Sequence, residues 1–256
     1  MESLGHFVAK INFVFLHGFL GRPSDWDQVI SELQAKIPSE CYAVNYFSIP
    51  PLSPKVGFGE WPDNFAQWIL NNLGPGPKVL VGYSLGGRLA LHALEKYPDI
   101  FKLGICISTN PGVFLDGSNE RNARAAADQD WSQRFTRDPW KKLMLDWNSQ
   151  EIFKSSPNVI DREESEFRRD LLSKALINWS LSQQKDFRSY LKEPKQSFAW
   201  IVGQRDQKYI EIAKLLAGVC PQVNFQIIEK SGHRVLFDAP ELLAKNIFLT
   251  AKNVIK

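Results

Sequence analysis

Several features that mark other classes of protein are scarce or missing in this chain of 256 residues. The three cysteines, Cys41, Cys106 and Cys220, are an odd number without C-x-x-C spacing, which argues against a disulfide framework or a zinc site. No run of about 18 apolar residues occurs, so no membrane span is expected. Residues Met1 to Lys10 lack the charged and apolar regions of a signal peptide. These absences predict a cytoplasmic protein in a reducing compartment.

Clusters of basic residues are also absent. The formal net charge of +3 at pH 7 is too mild for a protein dedicated to nucleic-acid binding. The chain has neither the G-x-G-x-x-G motif nor the P-loop lysine pattern of nucleotide sites, and its potential ligands lack the spacing of a metal site. We therefore expect no nucleic-acid partner, no metal and no cofactor. No feature of the sequence indicates an obligate protein partner.

What the chain does contain is an alternation of short apolar runs with amphipathic stretches. The runs favour β-strands at Ile11–Leu16, Tyr42–Tyr46, Val79–Tyr83, Leu103–Ile107, Phe198–Val202 and Val223–Ile228. Helical patterns separate most of them, which predicts an α/β fold with a mostly parallel central sheet flanked by helices. We expect helices from Ser24 to about Ile37, over Ser84–Tyr97, and from about Pro240.

The alternation breaks in the middle of the chain, where helical patterns rich in arginine, aspartate, tryptophan and glutamine replace the strands. We interpret residues 110–197 as a helical cap inserted into a core that residues 1–109 and 198–256 form. The tryptophans expected to pack this cap are Trp131, Trp140 and Trp147, of which Trp147 could also line a pocket.

One motif carries chemistry: an apolar strand, then Gly82-Tyr83-Ser84-Leu85-Gly86, then a helix. A sharp turn between strand and helix lifts a serine hydroxyl above the edge of the sheet. Glycine is expected at positions 82 and 86 because a side chain at either would collide with neighbouring backbone. A purely structural turn is the alternative, and the downstream residues favour catalysis.

Ser84 needs a base, and two residues in loops after later strands can supply one. His233 lies between the last apolar strand and the closing helix, and Asp206 follows the strand Phe198–Val202. Taken singly, such a histidine is commonly a surface residue and such an aspartate a turn or cap. The order Ser, Asp, His is the one that the α/β-hydrolase fold uses, and Asp206 would fix the tautomer of the imidazole. The three residues together predict a catalytic triad.

The loop after the first strand reads His17-Gly18-Phe19-Leu20-Gly21. Glycines on both sides let the backbone of Phe19 approach the site, so its N–H and that of Leu85 could form an oxyanion hole. Because one base suffices, His17 is expected to hold the loop by a hydrogen bond. His92 is expected to be packed on the helix that follows Ser84.

Arginines point to an anion. Arg88 lies four residues after Ser84 and shares its helix face. Burying a cation near a helix N-terminus is costly unless an anion meets it, and that anion could be a substrate or an acidic residue of the cap. In the cap, Arg121, Arg124 and Asp128 would share one side of a helix, an arrangement that is usually just a solvated face.

These residues resemble those of a known family. The matching segments are His17 to Gly21, Asp25-Trp26, Gly82 to Arg88, Asn110 to Gly112, Ala123-Arg124, Asp130 to Phe135, Asp146-Trp147 and Asp206 to Lys208. Over most of its length the chain resembles the 2-succinyl-6-hydroxy-2,4-cyclohexadiene-1-carboxylate synthases of menaquinone biosynthesis. The resemblance implies a lyase that removes a substrate proton and eliminates pyruvate from 2-succinyl-5-enolpyruvyl-6-hydroxy-3-cyclohexene-1-carboxylate. Ser84 would be the base, activated by His233 and Asp206.

The same resemblance implies how a small anionic carboxylate substrate would bind. Arg88 and Arg124 match arginines that bind substrate carboxylates, and Tyr83 and Trp147 match residues that line the pocket. A multiply anionic substrate would explain a buried Arg88.

The chain departs from the family at one position. A third arginine would be expected around Leu171–Ala175, where none stands, and the nearest cations are Lys174 and Arg169. Lysine lacks the planar fork that pairs with both oxygens of a carboxylate. A serine hydrolase of carboxylic esters, thioesters or C–C bonds is the alternative, since the same triad with an oxyanion hole serves acyl transfer.

Overall fold

The computed structural model describes residues 10–113 and 117–255. Their strands are β1 (Ile11–Leu16), β2 (Ser39–Val44), β3 (Lys78–Tyr83), β4 (Leu103–Ile107), β5 (Ser197–Gly203) and β6 (Val223–Ile228). They form one sheet in the order β2-β1-β3-β4-β5-β6, and every neighbouring pair is parallel. Each predicted apolar run carries one strand, and the predicted α/β fold with a mostly parallel sheet flanked by helices is confirmed. The residues before Lys10, on which part of the expectation about a signal peptide rests, lie outside the described ranges.

Helices connect the strands. They are α1 (Asp27–Gln34), α2 (Trp61–Asn72), α3 (Leu85–Lys96), α4 (Ser118–Arg137), α5 (Trp140–Asn148), α6 (Arg169–Asn178), α7 (Arg188–Lys192), α8 (Gln207–Val219), α9 (Val235–Asp238) and α10 (Pro240–Val254). The predicted helix after Ser84 is α3, and the predicted closing helix is α10. Within the described residues, none of the helices has the length and apolar character needed to cross a membrane.

The first predicted helix has the wrong start and end. Ser24 lies inside a 3-10 turn, Pro23–Trp26, and α1 begins only at Asp27. Proline lacks an N–H and suits the first position of such a turn, which displaces the helix start from Ser24. The N–H of Arg22 donates to the Asp25 carboxylate at 3.0 Å and fixes this start.

Strand β2 also differs from its prediction, because it begins at Ser39 and ends at Val44 instead of spanning Tyr42–Tyr46. It is an edge strand, and Val44 is its one fully buried residue. The backbone of its polar first half pairs with β1, so hydrogen bonding and not an apolar run sets its start.

Both faces of the sheet are buried, which accounts for the continuous apolar runs. Val14 and Leu16 face the side covered by α2, α3 and α8, whereas Phe13 and Phe15 face the side covered by α1 and α10. All four side chains are fully buried, and burial of each stabilises the fold by about 1.5–3 kcal/mol. The sheet is therefore a rigid floor for the loops at its ends.

Residues 110–196, between β4 and β5, are called the cap segment below. Its described part contains α4 to α7 and no strand. A separate apolar cluster joins this segment to the loop after β1, and it consists of Leu20, Phe135, Leu143, Met144, Leu172 and Leu176. Trp131, Trp140 and Trp147 pack against that cluster. The cap segment thus packs against the loop after β1 through a cluster that is separate from the two faces of the sheet.

Parallel strands bring the loops that follow them to one edge of the sheet. The chain passes from β1 to β2 on one side and then returns past β1 to β3 on the other, so the strand order reverses between β1 and β3. Such a switch point opens a crevice above the strand ends. The residues that follow the strands at this edge include Phe19, Ser84, Asn110, Asp206 and His233. The predicted chemical groups are therefore gathered by topology.

His92 on α3 is packed, as predicted. It stacks on Phe58 with ring centroids 4.2 Å apart and meets Phe187 edge-on. Burial, with smaller contributions from Lys185 and Arg88, lowers the pKa of this imidazole to about 3. The native protein therefore holds His92 neutral down to strongly acidic pH.

This predicts part of the acid sensitivity of the fold. The unfolded chain protonates His92 near pH 6.5 and the folded chain does not, so stability from this group is lost as the pH falls from about 6.5 towards 3. In His92→Leu, the difference in unfolding free energy between pH 7.5 and pH 5 should be about 2 kcal/mol smaller than in the parent protein. Urea unfolding at both pH values measures this difference. His92→Gln, which cannot titrate either, should give the same flattening, and a slope equal to that of the parent would contradict the assignment.

Candidate active site

The turn between β3 and α3 has the geometry of a strained elbow. Ser84 is the single residue between the strand and the helix, and its φ of 52° lies in a region that L-residues rarely adopt. Its N–H donates to the carbonyl of Ile107 on β4 at 2.9 Å. Such a conformation costs about 1–3 kcal/mol, and packing of β3 and α3 holds it in place.

Two glycines permit this turn, and the structure confirms both predicted requirements. A Cβ at Gly82 would lie 2.5 Å from the carbonyl oxygen of Gly86, and one at Gly86 would lie 2.2 Å from the carbonyl oxygen of Leu16. Both contacts are with backbone, which cannot move aside without disrupting the sheet.

The structure brings Ser84, His233 and Asp206 together. His233 Nδ1 lies 2.8 Å from Asp206 Oδ2, and His233 Nε2 lies 3.3 Å from Ser84 Oγ. Asp206 and His233 are buried, and Ser84 is partly exposed. A carboxylate beside Nδ1 favours the tautomer with the proton on that atom, which leaves a lone pair on Nε2 facing the serine hydroxyl. This arrangement can accept a proton from Ser84.

Two residues that line the same space have backbone N–H groups without a backbone acceptor. Leu85 is the first residue of α3, so its N–H has no acceptor within the helix. Phe19 lies in the loop after β1, and both residues line the cavity around Ser84. Among the described residues, neither N–H donates to a backbone carbonyl. They are therefore available to an oxygen of a bound molecule.

His17 holds its own loop, as predicted. Its Nδ1 lies 2.8 Å from the carbonyl oxygen of Gly18 and must donate to it, and its ring stacks on Tyr46 at 4.2 Å. Burial lowers the pKa of His17 to about 4. The Tyr46 hydroxyl donates to the carbonyl of His17 at 2.6 Å. This neutral histidine is a structural element of the loop.

Aromatic rings surround the imidazole of His233. The centroids of Tyr209, Tyr83 and Phe153 lie 4.6, 5.6 and 5.9 Å from it. Trp147 lines the same cavity and packs against Phe19 at 4.9 Å. Tyr83 and Trp147 thus both line the cavity that contains Ser84.

The cavity has a volume of about 180 Å³. Ser84 and His233 line it together with residues of the cap segment. Since one water needs about 10–15 Å³ on this measure, the space admits a small organic molecule. The ionised side chains that line it are Arg88, Arg124, Arg162, Arg234, Asp25 and Asp128. Two positive charges are therefore in excess, which favours an anion. Across the described ranges, no three His, Cys, Asp or Glu side chains are grouped to hold a metal ion.

Arg88 and Arg124 have different partners. Nη1 of Arg88 donates to the carbonyl of Trp179 at 2.7 Å and approaches the Gln184 amide oxygen at 3.5 Å. No described carboxylate forms an ion pair with Arg88, so the interpretation of an internal salt bridge is wrong. Arg124 pairs with the buried Asp128 through Nε at 2.8 Å. Burial, chiefly, lowers the pKa of Arg88 to about 10, and it remains charged at neutral pH.

Two further cations of the cavity were missed by the sequence reasoning. Arg162 makes a bidentate pair with Asp25, with N–O distances of 2.9 and 2.6 Å, and both side chains are buried. Arg234 is 5% exposed and follows His233 directly. That adjacency to His233 was a usable signal for Arg234, whereas nothing in the sequence links Arg162 to Asp25.

Neither cation near the position of the absent third arginine reaches the cavity. Lys174 is exposed on α6. Arg169 donates to the carbonyls of Phe135 and Asp138 at 2.5 Å each and pairs with Glu164. Neither Lys174 nor Arg169 is among the residues that line the cavity. Any third cation must come from elsewhere.

The parallel sheet, the elbow and the cavity above it define an enzyme of the α/β-hydrolase fold. Residues 13–246 match the model of the alpha/beta hydrolase family, and the chain belongs to that family. Within it, the chain groups with the 2-succinyl-6-hydroxy-2,4-cyclohexadiene-1-carboxylate synthases. The protein of that name from Klebsiella pneumoniae subsp. pneumoniae is 30% identical over 237 residues, covering 89% of this chain and 88% of its own length.

Solved structures show the same fold. The structure of MenH from S. aureus superposes with a TM-score of 0.79 at 20% identity and covers 98% of this chain and 97% of its own. A thermophilic esterase from Thermogutta terrifontis superposes with a TM-score of 0.71 at 18% identity and covers 97% and 92%. A protein named MenH and one named an esterase therefore share this fold.

Proposed function

We propose that the protein is a lyase of menaquinone biosynthesis, which eliminates pyruvate from 2-succinyl-5-enolpyruvyl-6-hydroxy-3-cyclohexene-1-carboxylate. The observation that carries this proposal is the cavity: a serine–histidine–aspartate hydrogen-bonded chain opens into a space with an excess of arginine. The substrate carries three carboxylates, and relatives that align over nearly the whole chain bear the name of this synthase.

The reaction needs a base and no covalent intermediate. The hydrogen at C2 of the ring is acidic because it lies next to the succinyl ketone. Ser84 removes it while His233 takes the serine proton, with Asp206 stabilising the imidazolium. The electron pair moves through the ring double bond, the C5–O bond breaks, and the departing enolpyruvate takes up a proton to become pyruvate. The ring is left as the 2,4-cyclohexadiene.

The remaining site residues stabilise charge and orient the ring. The N–H groups of Phe19 and Leu85 would bind the enolate oxygen that develops on the ketone. Arg88 and Arg124 would bind carboxylates, and Tyr83 and Trp147 would form the walls. This assignment gives each predicted oxyanion-hole and substrate-binding residue a contact with the substrate.

Residues 110–197 would act as the cap of this site. The cap segment contributes Arg124, Trp147 and Arg162 to the cavity, whereas the serine and histidine come from the sheet side. A roof of this kind excludes water from the enolate and strengthens its interaction with the two amides.

A serine hydrolase is the second candidate, and one observation favours it. Phe19 and Leu85 line the cavity together with Ser84, and their N–H groups donate to no described backbone carbonyl. Two such amides would form an oxyanion hole that serves acyl transfer to serine. In that reaction Ser84 would form an acyl-enzyme, which the lyase does not require.

One experiment separates the two candidates. Purified protein is mixed with the enolpyruvyl substrate, and pyruvate is followed by coupled lactate dehydrogenase, with p-nitrophenyl acetate and butyrate hydrolysed in parallel. The lyase predicts pyruvate release far above the uncatalysed rate with only slow ester cleavage. Rapid ester turnover with pyruvate release at the uncatalysed rate would overturn the lyase in favour of the hydrolase.

A further inference from the structure

The substrate of the proposed reaction has one carboxylate more than the predicted arginines. Arg88 and Arg124 account for two cations, and the α6 stretch where a third would be expected supplies none to the cavity. Lys174 on α6 is exposed. A buried carboxylate without a cation or several N–H donors would be costly, so a further cation is needed.

Arg234 is a buried cation of this cavity that forms no ion pair with a described carboxylate. Burial lowers its pKa, although the nearby charge of Asp238 acts to raise it. Its guanidinium donates to the backbone carbonyl of Asn158 at 2.9 Å and to the side-chain amide oxygen of Asn148, both of them neutral acceptors. Nearby Asp238 is already occupied, because it accepts from the Gly232 N–H at 2.9 Å and from the Asn158 amide at 3.0 Å. No ion pair joins Arg234 to a described residue.

The contrast with Arg162 decides how Arg234 is read. Both arginines line the cavity and are buried, but Arg162 has both oxygens of Asp25 within 3 Å. A buried guanidinium has five N–H donors, and Arg234 uses two of them on neutral oxygens. A neutral side chain could make the same two hydrogen bonds to neutral oxygens. The positive charge of Arg234 adds a desolvation penalty, which an anion bound in the cavity would offset.

Position also separates Arg234 from the predicted pair of arginines. Arg88 lies one helical turn after Ser84 and near Arg124 and Asp128, whereas Arg234 adjoins His233 and stacks over Phe153 at 4.1 Å. One group of cations therefore lies near Ser84, and Arg234 lies near His233. A ring with carboxylates at separate positions can be held on both sides of the atom that loses its proton.

We propose that Arg234 binds the third carboxylate of the substrate, in place of the arginine that α6 lacks. For the identity of that substrate the inference rests on the proposed function. It assigns to a residue of the loop after β6 a role in specificity for a tricarboxylate over ligands with fewer carboxylates.

The test measures binding of the enolpyruvyl substrate without turnover. Ser84→Ala is the background, and calorimetric titration compares it with Ser84→Ala/Arg234→Gln and with the control Ser84→Ala/Lys174→Gln. Both second substitutions remove one positive charge. We expect Arg234→Gln to weaken affinity by about 10- to 100-fold, the size of a charged hydrogen bond, and Lys174→Gln to change it less than twofold.

Further readouts separate binding from a structural tie between Arg234 and the cap segment. With Ser84 present, Arg234→Gln should raise KM and leave kcat within about threefold, as loss of uniform binding does. Arg234→Lys should regain part of the affinity because it keeps the charge. The inference would be overturned if the loss of affinity in Arg234→Gln paralleled a fall in Tm and Arg234→Lys did not reduce it. Arg234 would then have only a structural role.

The outcomes also separate this inference from the proposed function. Unchanged affinity in Arg234→Gln, with pyruvate release intact in the parent, would overturn the inference alone. Affinity that depends on Arg234 in a protein that releases no pyruvate would overturn the lyase and keep the anion site. If the substrate does not bind at all, both fail.

Discussion

Replacing Ser84 by alanine is expected to lower kcat for pyruvate release by about 10²- to 10⁴-fold, the usual contribution of a positioned general base. Ser84 Oγ is the hydroxyl that His233 Nε2 approaches, at 3.3 Å. Without that hydroxyl, the group proposed to remove the substrate proton is missing. Alanine keeps the backbone conformation and removes a single oxygen, so the Tm should stay within a few degrees of the parent.

The control for this experiment is the histidine. His233→Gln should reduce kcat to a similar degree, and the double variant should lose little more, because the two residues act as one unit. Steady-state pyruvate assays of the three variants measure this non-additivity. Near-normal kcat in Ser84→Ala together with a large loss in His233→Gln would identify His233 as the direct base and reject the role proposed for the serine.

Replacing Arg88 by methionine is the second large expected effect. Arg88 lines the cavity and forms no ion pair with a described residue, so a substrate carboxylate would be its partner. Truncating one member of a buried, hydrogen-bonded charge pair costs about 2–5 kcal/mol, and kcat/KM should fall by at least about 30-fold. Arg88→Lys should recover only part of this loss because lysine cannot bind both carboxylate oxygens at once.

Arg121 supplies a matched control. It also donates to backbone carbonyls, those of Ser182 and Gln184, but it does not line the cavity. Arg121→Gln should change stability and leave kcat/KM within about twofold. Equal losses of kcat/KM in the Arg88 and Arg121 variants would mean that Arg88 supports the cap segment and does not bind substrate.

The parts of the fold that could be predicted are those that local chemistry determines. Fully buried runs such as Val79–Tyr83 read as strands because both faces of the sheet are covered, and the elbow follows from its glycines. Strand β2 was misplaced because an edge strand starts where its backbone finds a partner. Sequence order alone could nominate Asp206 and His233, since parallel topology brings successive loops to one edge.

The charges of the site were less predictable, for a physical reason. Whether an arginine is neutralised depends on contacts between distant segments, such as Arg162 with Asp25, 137 residues apart. The same contacts decide that Arg169 is consumed by backbone carbonyls and that Arg234 is not paired. A sequence shows where the cations are. Only the folded chain shows which of them lack a counter-ion and can bind an anionic ligand.

The buried ion pair of Asp25 and Arg162 affects how the cap segment moves and unfolds relative to the rest of the chain. Asp25 belongs to the turn after β1, and Arg162 belongs to the cap segment, so the pair joins them across the cavity. Pulling them apart would leave two uncompensated charges in a poorly hydrated space, at several kcal/mol. The pair thereby holds the cap segment against the turn after β1, and we expect the cap segment and the sheet to unfold in one cooperative transition. We therefore expect substrate and product to enter and leave through local movements at the rim of the cavity, while the cap segment stays attached to the turn after β1.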